Sequence, residues 1–276
     1  MCWSLPVSVS FALLEALCLA FLLWRCFIKK DASRLEVQQR YVLPLLASIF
    51  LIETIEAFTW AESTGLRHIA EAAHATCTAR NAHLTRAAAI VLFCQPFATV
   101  WAARHTGNER NKELLCVPQH LAALTTVALI GSLIVGEVFE RHLIDISVSH
   151  LIGFHGLHTC SWIGTHGHIH WVWKFPAAYF APNAYAYFLF GIAAVAARPL
   201  HVVSGPVGFY LVLFGCILLG FRFTMEAASV WCWTALGLHA YFIAQPYAIA
   251  RFVHKVKPAG TTRVPWTSAA PNDTPA

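Results

Sequence analysis

The chain has 276 residues, of which 58% are hydrophobic and only 12% charged, and it carries a formal net charge of +5. Soluble domains average about 45–50% and about 25% on these two measures, so a soluble globular protein is excluded. No basic cluster interleaved with aromatics occurs, so the excess of positive charge points to membrane topology and not to nucleic acid.

The apolar residues gather into long runs with few charges, and about 20 such residues cross a hydrocarbon core roughly 30 Å thick. They predict an all-α, polytopic helical bundle, because in lipid only helices or closed barrels satisfy their own backbone groups. Seven spans are expected, at 5–28, 41–62, 87–104, 120–138, 177–197, 205–221 and 225–250. Together they form one transmembrane domain over 1–252, followed by a disordered cytoplasmic tail over 253–276. The N-terminal run lacks the basic n-region of a cleavable signal peptide. Alternate connecting segments hold thirteen and six of the Lys and Arg residues, which sets the C-terminus in the cytoplasm and the N-terminus outside. Trp3, Trp24, Trp60, Trp101, Trp171 and Trp173 fall near expected headgroup levels. The expected location is a plasma membrane or endomembrane, as a multi-pass protein in contact with the bilayer.

Polar residues break the apolar runs near their centres. Glu15, Glu53, Gln95 and His239 each lie at mid-span, and Glu56 stands one turn from Glu53 on the same face. A charged residue at the bilayer centre costs about 2.5–3.5 kcal/mol on insertion scales, so such groups turn inward and pair. Their convergence on one internal ligand or ion site is one expectation. Simple hydrogen bonding between helices is the other. Pro96 is expected to kink the third span, Pro246 the last, and Gly205-Pro206 to open the sixth.

Two long non-cytoplasmic loops are expected, 63–86 and 139–176. Six of the fifteen histidines fall between residues 150 and 170 of the second. His166, His168 and His170 would share one side of an extended strand, a spacing that suits a metal such as zinc. This stretch is too apolar for a solvated loop and is expected to lie on the interface or re-enter the membrane. Of nine cysteines, Cys18, Cys26, Cys94, Cys216 and Cys232 read as packing residues within spans and Cys116 as a reduced cytoplasmic thiol. Cys2, Cys77 and Cys160 fall outside, where disulfides persist. A Cys77–Cys160 bridge between the two loops is sensible, though spacing alone does not fix connectivity.

Several short strings occur in order along the chain: Met1-Cys2-Trp3-Ser4, Glu53-Thr54-Ile55-Glu56, Cys77 with Asn81 and Thr85, and Cys94-Gln95-Pro96-Phe97. They are followed by Cys160-Ser161 with His168 and Trp171, by Gly205-Pro206, and by Glu226 with Ser229 and Trp231-Cys232. In this the chain resembles an uncharacterised family of multi-spanning membrane proteins. The resemblance implies a helical membrane protein, includes Cys77 and Cys160 in the shared pattern, and supplies no catalytic residue. It singles out His168 among the histidines. The chain departs from the pattern at Glu56, where the family has Gln, and by one extra residue near His166-Gly167.

Three functions are compatible with these features. The first is binding, sensing or transport of a small ligand or ion at the mid-span residues, without enzymatic activity. The second is a membrane-embedded metal hydrolase using the loop histidines, although no His-Glu-x-x-His is present. The third is a scaffold whose Glu226, Ser229 and Trp231 pack helices. A retinal protein is excluded, since all six lysines (29, 30, 112, 174, 255 and 257) lie outside the span centres.

Overall fold

The structure, a computed structural model, describes residues 4–63, 77–106, 109–138, 159–163, 169–172 and 235–247. The expected spans at 177–197 and 205–221 and the tail lie outside these residues, as do His166, His168, Glu226, Ser229 and Trp231.

Helix α1 runs Leu5–Leu23 and continues as a π-helical turn, Trp24–Ile28. Pro6 sits in its first turn, where a missing N–H is harmless. A short helix α2, Arg34–Gln38, opens on a capping box: the Ser33 hydroxyl accepts from the Glu36 N–H while the Glu36 carboxylate accepts from the Ser33 N–H. A 3₁₀ turn then leads into α3, Leu43–Ser63. Helix α4 spans Ala79–Thr106, α5 Glu109–Leu114 and α6 Cys116–Val138. Residues 235–247 form helix α7.

Among the described residues, four helical segments are long and apolar enough to cross a membrane: Leu5–Ile28, Leu43–Glu62, Ala79–Thr106 and Lys112–Gly136. The first two match the expected spans closely. The third begins eight residues before the expected 87, so the last eight residues of the segment assigned to a loop are helix. Arg80 and Arg86 therefore lie on α4, and Arg80 pairs with Glu62 of α3 at 3.0 Å. The polarity of that first turn hid it from an apolar-run reading. Side chains such as Leu13, Leu17, Leu124 and Val127 are exposed, as helix faces turned toward lipid must be.

Pro96 lies inside α4, which runs on through it. A proline removes one backbone donor and disturbs the preceding turn. On that turn the Phe93 carbonyl accepts a hydrogen bond from the Thr126 hydroxyl of α6 at 2.8 Å, tying α6 to α4 where the helix is weakest.

Two strands complete the described fold, β1 Cys160–Ile163 and β2 Ile169–Val172, paired antiparallel with Ser161 opposite Trp171 and Ile163 opposite Ile169. Side chains alternate across a strand, so Ser161, Ile163, Ile169 and Trp171 share one face, and all four are buried. Ile163, Ile169 and Trp171 join Ile52 and Trp60 of α3, Ala88, Ala89 and Phe93 of α4, and Leu129 and Leu133 of α6 in one apolar cluster. Part of the expected outer loop is thus a hairpin sunk into one end of the bundle.

Candidate functional site

Residues at one helical face bring the site together. On α1 the buried positions are Ser8, Phe11, Glu15, Leu19 and Leu22, a spacing of three and four that defines a single stripe. Glu15 is the only ionisable group on it and has no exposed surface. His239 of α7, also without exposed surface, places its Nδ1 3.8 Å from Glu15 Oε1. The same nitrogen donates to the Ala235 carbonyl at 3.0 Å, which puts the imidazole proton on Nδ1 in the neutral ring.

Glu53 and Glu56 of α3 are buried and close enough to act electrostatically on Glu15. Cys18 lies nearly one turn along α1 from Glu15. Gln95 of α4 is fully buried. All five of the expected mid-span residues are buried, and among them Glu15 and His239 are brought together. Neither carboxyl oxygen of Glu15 receives a hydrogen bond among the described residues. Burying such a group without partners is costly.

Among the described residues, polar groups are distributed unevenly on the two sides of this cluster. Toward the hairpin lie Ser8, Glu56, Thr59, Thr85 and Asn81, each buried. In the opposite direction lies an apolar layer that includes Leu19, Leu22, Leu46, Ile49, Leu238 and Phe242.

Two further clusters close the ends: one holds the expected Cys77–Cys160 pair, and the other, around Arg25, does not stand out as a site in the sequence. At the hairpin end, Cys77 and Cys160 form a disulfide with their Cα atoms 6.0 Å apart, within the usual range. Next to it, Asn81 is wholly buried on α4. Its Nδ2 donates to the Ser161 carbonyl at 2.8 Å, and its Oδ1 accepts from the Ser161 N–H at 2.8 Å and hydroxyl at 3.1 Å. One carboxamide thus pairs the free edge of β1 as another strand would. An unpaired strand edge is not tolerated in an apolar interior.

At the other end, Arg25 on the π turn has no exposed surface. Its Nη1 donates to the Ile243 carbonyl at 2.8 Å and its Nη2 to the Phe242 carbonyl at 2.7 Å and to Gln39 Oε1. Gln39 Nε2 also donates to the Phe242 carbonyl, at 2.8 Å, and to Gln245 Oε1, at 3.0 Å. Phe242 is four residues before Pro246, so its carbonyl is the one that Pro246 leaves without a helical donor. Arg25 and Gln39 supply what the proline removes. Glu36 Oε1 lies 3.9 Å from Arg25 and 3.0 Å from Lys29. Burial tends to raise the Glu36 carboxyl, but the Ser33 N–H and Lys29 outweigh it and hold the group below its ordinary value.

The expected metal set, His166, His168 and His170, lies outside the described side chains. His170 occupies the register position opposite Trp162, its side chain and its companions His166 and His168 lying outside the described residues. Among the described residues, no three His, Cys, Asp or Glu side chains stand close enough to hold a metal ion. No family model, curated protein or solved structure matches the chain.

Proposed function

We propose that this chain is a multi-pass helical membrane protein, with seven spans, that binds protons or a small cation at the interior cluster of Glu15, Glu53, Glu56, Gln95 and His239. We place its hairpin end on the non-cytoplasmic side. A disulfide at that end suits an oxidising compartment, and Lys29 and Lys30 follow α1 at the other.

The observation that carries this reading is Glu15: zero exposure, an imidazole at 3.8 Å, and two carboxyl oxygens that no donor among the described residues reaches. Three carboxyl groups and one imidazole in a space closed to water have their charge settled by what they bind. In a low dielectric, like charges repel strongly, and a proton or small cation relieves that repulsion. Such groups within a span are functional candidates by default.

Infrared difference spectroscopy of the protein in lipid nanodiscs, titrated with acid and base, tests it. The expected result is a carboxyl band that changes with pH and disappears in Glu15→Gln, with the fold intact by circular dichroism. Identical spectra for the native protein and the folded variant would remove Glu15 from any such role.

A further inference from the structure

Resting on that reading, we infer that the interior cluster exchanges protons with the hairpin side of the membrane alone, and that the clasped hairpin covers the route. The argument is one of position. From Glu15, the stripe of α1 leads in one direction through Phe11 to Ser8, seven residues and about 10 Å along the axis. Ser8 is fully buried, and its hydroxyl has no hydrogen-bond partner among the described residues. On α3, which packs against α1, the buried Glu56 and Thr59 continue from Glu53 toward the same end. A proton moving that way meets a hydroxyl and a carboxyl in succession.

In the other direction the α1 stripe offers only Leu19 and Leu22 before Arg25, and α3 offers Ile49 and Leu46. Phe242 and Leu238 of α7 belong to the same layer. Among the described residues the one buried hydroxyl there, Ser48, is engaged with the Leu45 carbonyl of its own helix at 2.7 Å. Arg25 beyond the layer is fixed by carbonyls and Gln39, and its positive charge opposes a proton arriving from that end. Among the described residues, the titratable groups that act on Glu15 are Cys18 on its own helix, Glu53 and Glu56 on α3 and His239 on α7. The neutral Gln95 is contributed by α4.

Over the polar end lies the β1–β2 hairpin, held by the disulfide and by Asn81. A proton taken from water on that side converts the Glu15 carboxylate to the acid, and the return step releases it to the same side. Nothing else is consumed.

Thiol accessibility in vesicles of uniform orientation tests the inference. Ser8→Cys and Thr59→Cys report the polar side, Ile49→Cys and Leu19→Cys the apolar layer. Each is exposed to a membrane-impermeant thiol reagent added to one side, with labelling read at the site by peptide mass spectrometry. Modification of Ser8→Cys or Thr59→Cys from the hairpin side only is expected. Opening the clasp with Cys77→Ser and Cys160→Ser should speed it by about tenfold, the ratio that corresponds to ~1.4 kcal/mol. The layer variants should stay unmodified from both sides. Labelling of Ile49→Cys or Leu19→Cys from the Arg25 side would overturn the inference, as would failure of both folded polar-side variants to react. Neither outcome touches the infrared titration, so the binding reading stands or falls separately.

Discussion

The hairpin end and the Arg25 end solve the same problem with different chemistry. Each must bring backbone polar groups into an apolar interior and find partners for them. At the hairpin end the orphan groups are a strand edge, a donor and an acceptor side by side, and a neutral carboxamide that offers both satisfies them. At the Arg25 end they are carbonyls at a proline break, acceptors alone, and a guanidinium offers several donors and no acceptor. The donor and acceptor inventory of the orphan groups selects the residue type. A covalent link then secures the strand end, while charge pairing with Glu36 secures the helix end.

The largest expected effect comes from the charged end. Arg25→Leu strips the donors from the Phe242 and Ile243 carbonyls and leaves Glu36 without its buried partner. It should cost about 3–5 kcal/mol, read by chemical unfolding in detergent. A loss below about 1 kcal/mol would mean that Gln39 alone suffices at the proline break. Replacing Cys77 and Cys160 together by Ser should cost about 2–5 kcal/mol in the same assay, with a peptide map of the native protein showing the pair linked before reduction.

Asn81→Ala should follow, at about 1–3 kcal/mol for each Ser161 group left unsatisfied. Hydrogen exchange at the Ser161 amide distinguishes this from general loosening, because it should quicken while helix amides of α1 do not. The smallest effect belongs to pH. The Glu36 carboxyl is lowered on folding, so its contribution is complete above its ordinary value near 4.5 and is lost as the pH falls through the folded value. The titration should shift stability by less than about 1 kcal/mol and vanish in Glu36→Gln.

How much of this is legible in the chain depends on the kind of signal. Glu15, Glu53, Glu56, Gln95 and His239 stand out because an ionisable or amide group in an apolar run is conspicuous wherever it points. Arg25 is not conspicuous. It sits at the end of its run near Lys29 and Lys30, and counting charges for topology absorbs it as a surface residue. Pro246 carried the missing signal, since a proline in a span requires a donor for the carbonyl four residues earlier. Asn81 was visible as part of a short motif with Cys77, but its partner is separated from it by 80 residues, and no local pattern reports such a distance. The strand pattern at Cys160–Ile163 and Ile169–Val172 is short, and histidines rather than the alternating apolar residues drew the reading there. The expected metal trio rests on that composition, and its side chains lie outside the described residues.

The π turn at Trp24–Ile28 sets where the next side chains point. Its wide ring, closed by the Lys29 N–H on the Trp24 carbonyl at 3.0 Å, holds one residue more than an α turn would. Deleting a single residue there would restore ordinary helix and cost nothing in backbone hydrogen bonding. It would also swing Lys29 by about 100° around the axis, away from the Glu36 carboxylate it now meets. The extra residue of the π turn is thus coupled to an ion pair outside the helix, and its deletion should lose the Lys29–Glu36 pair with it.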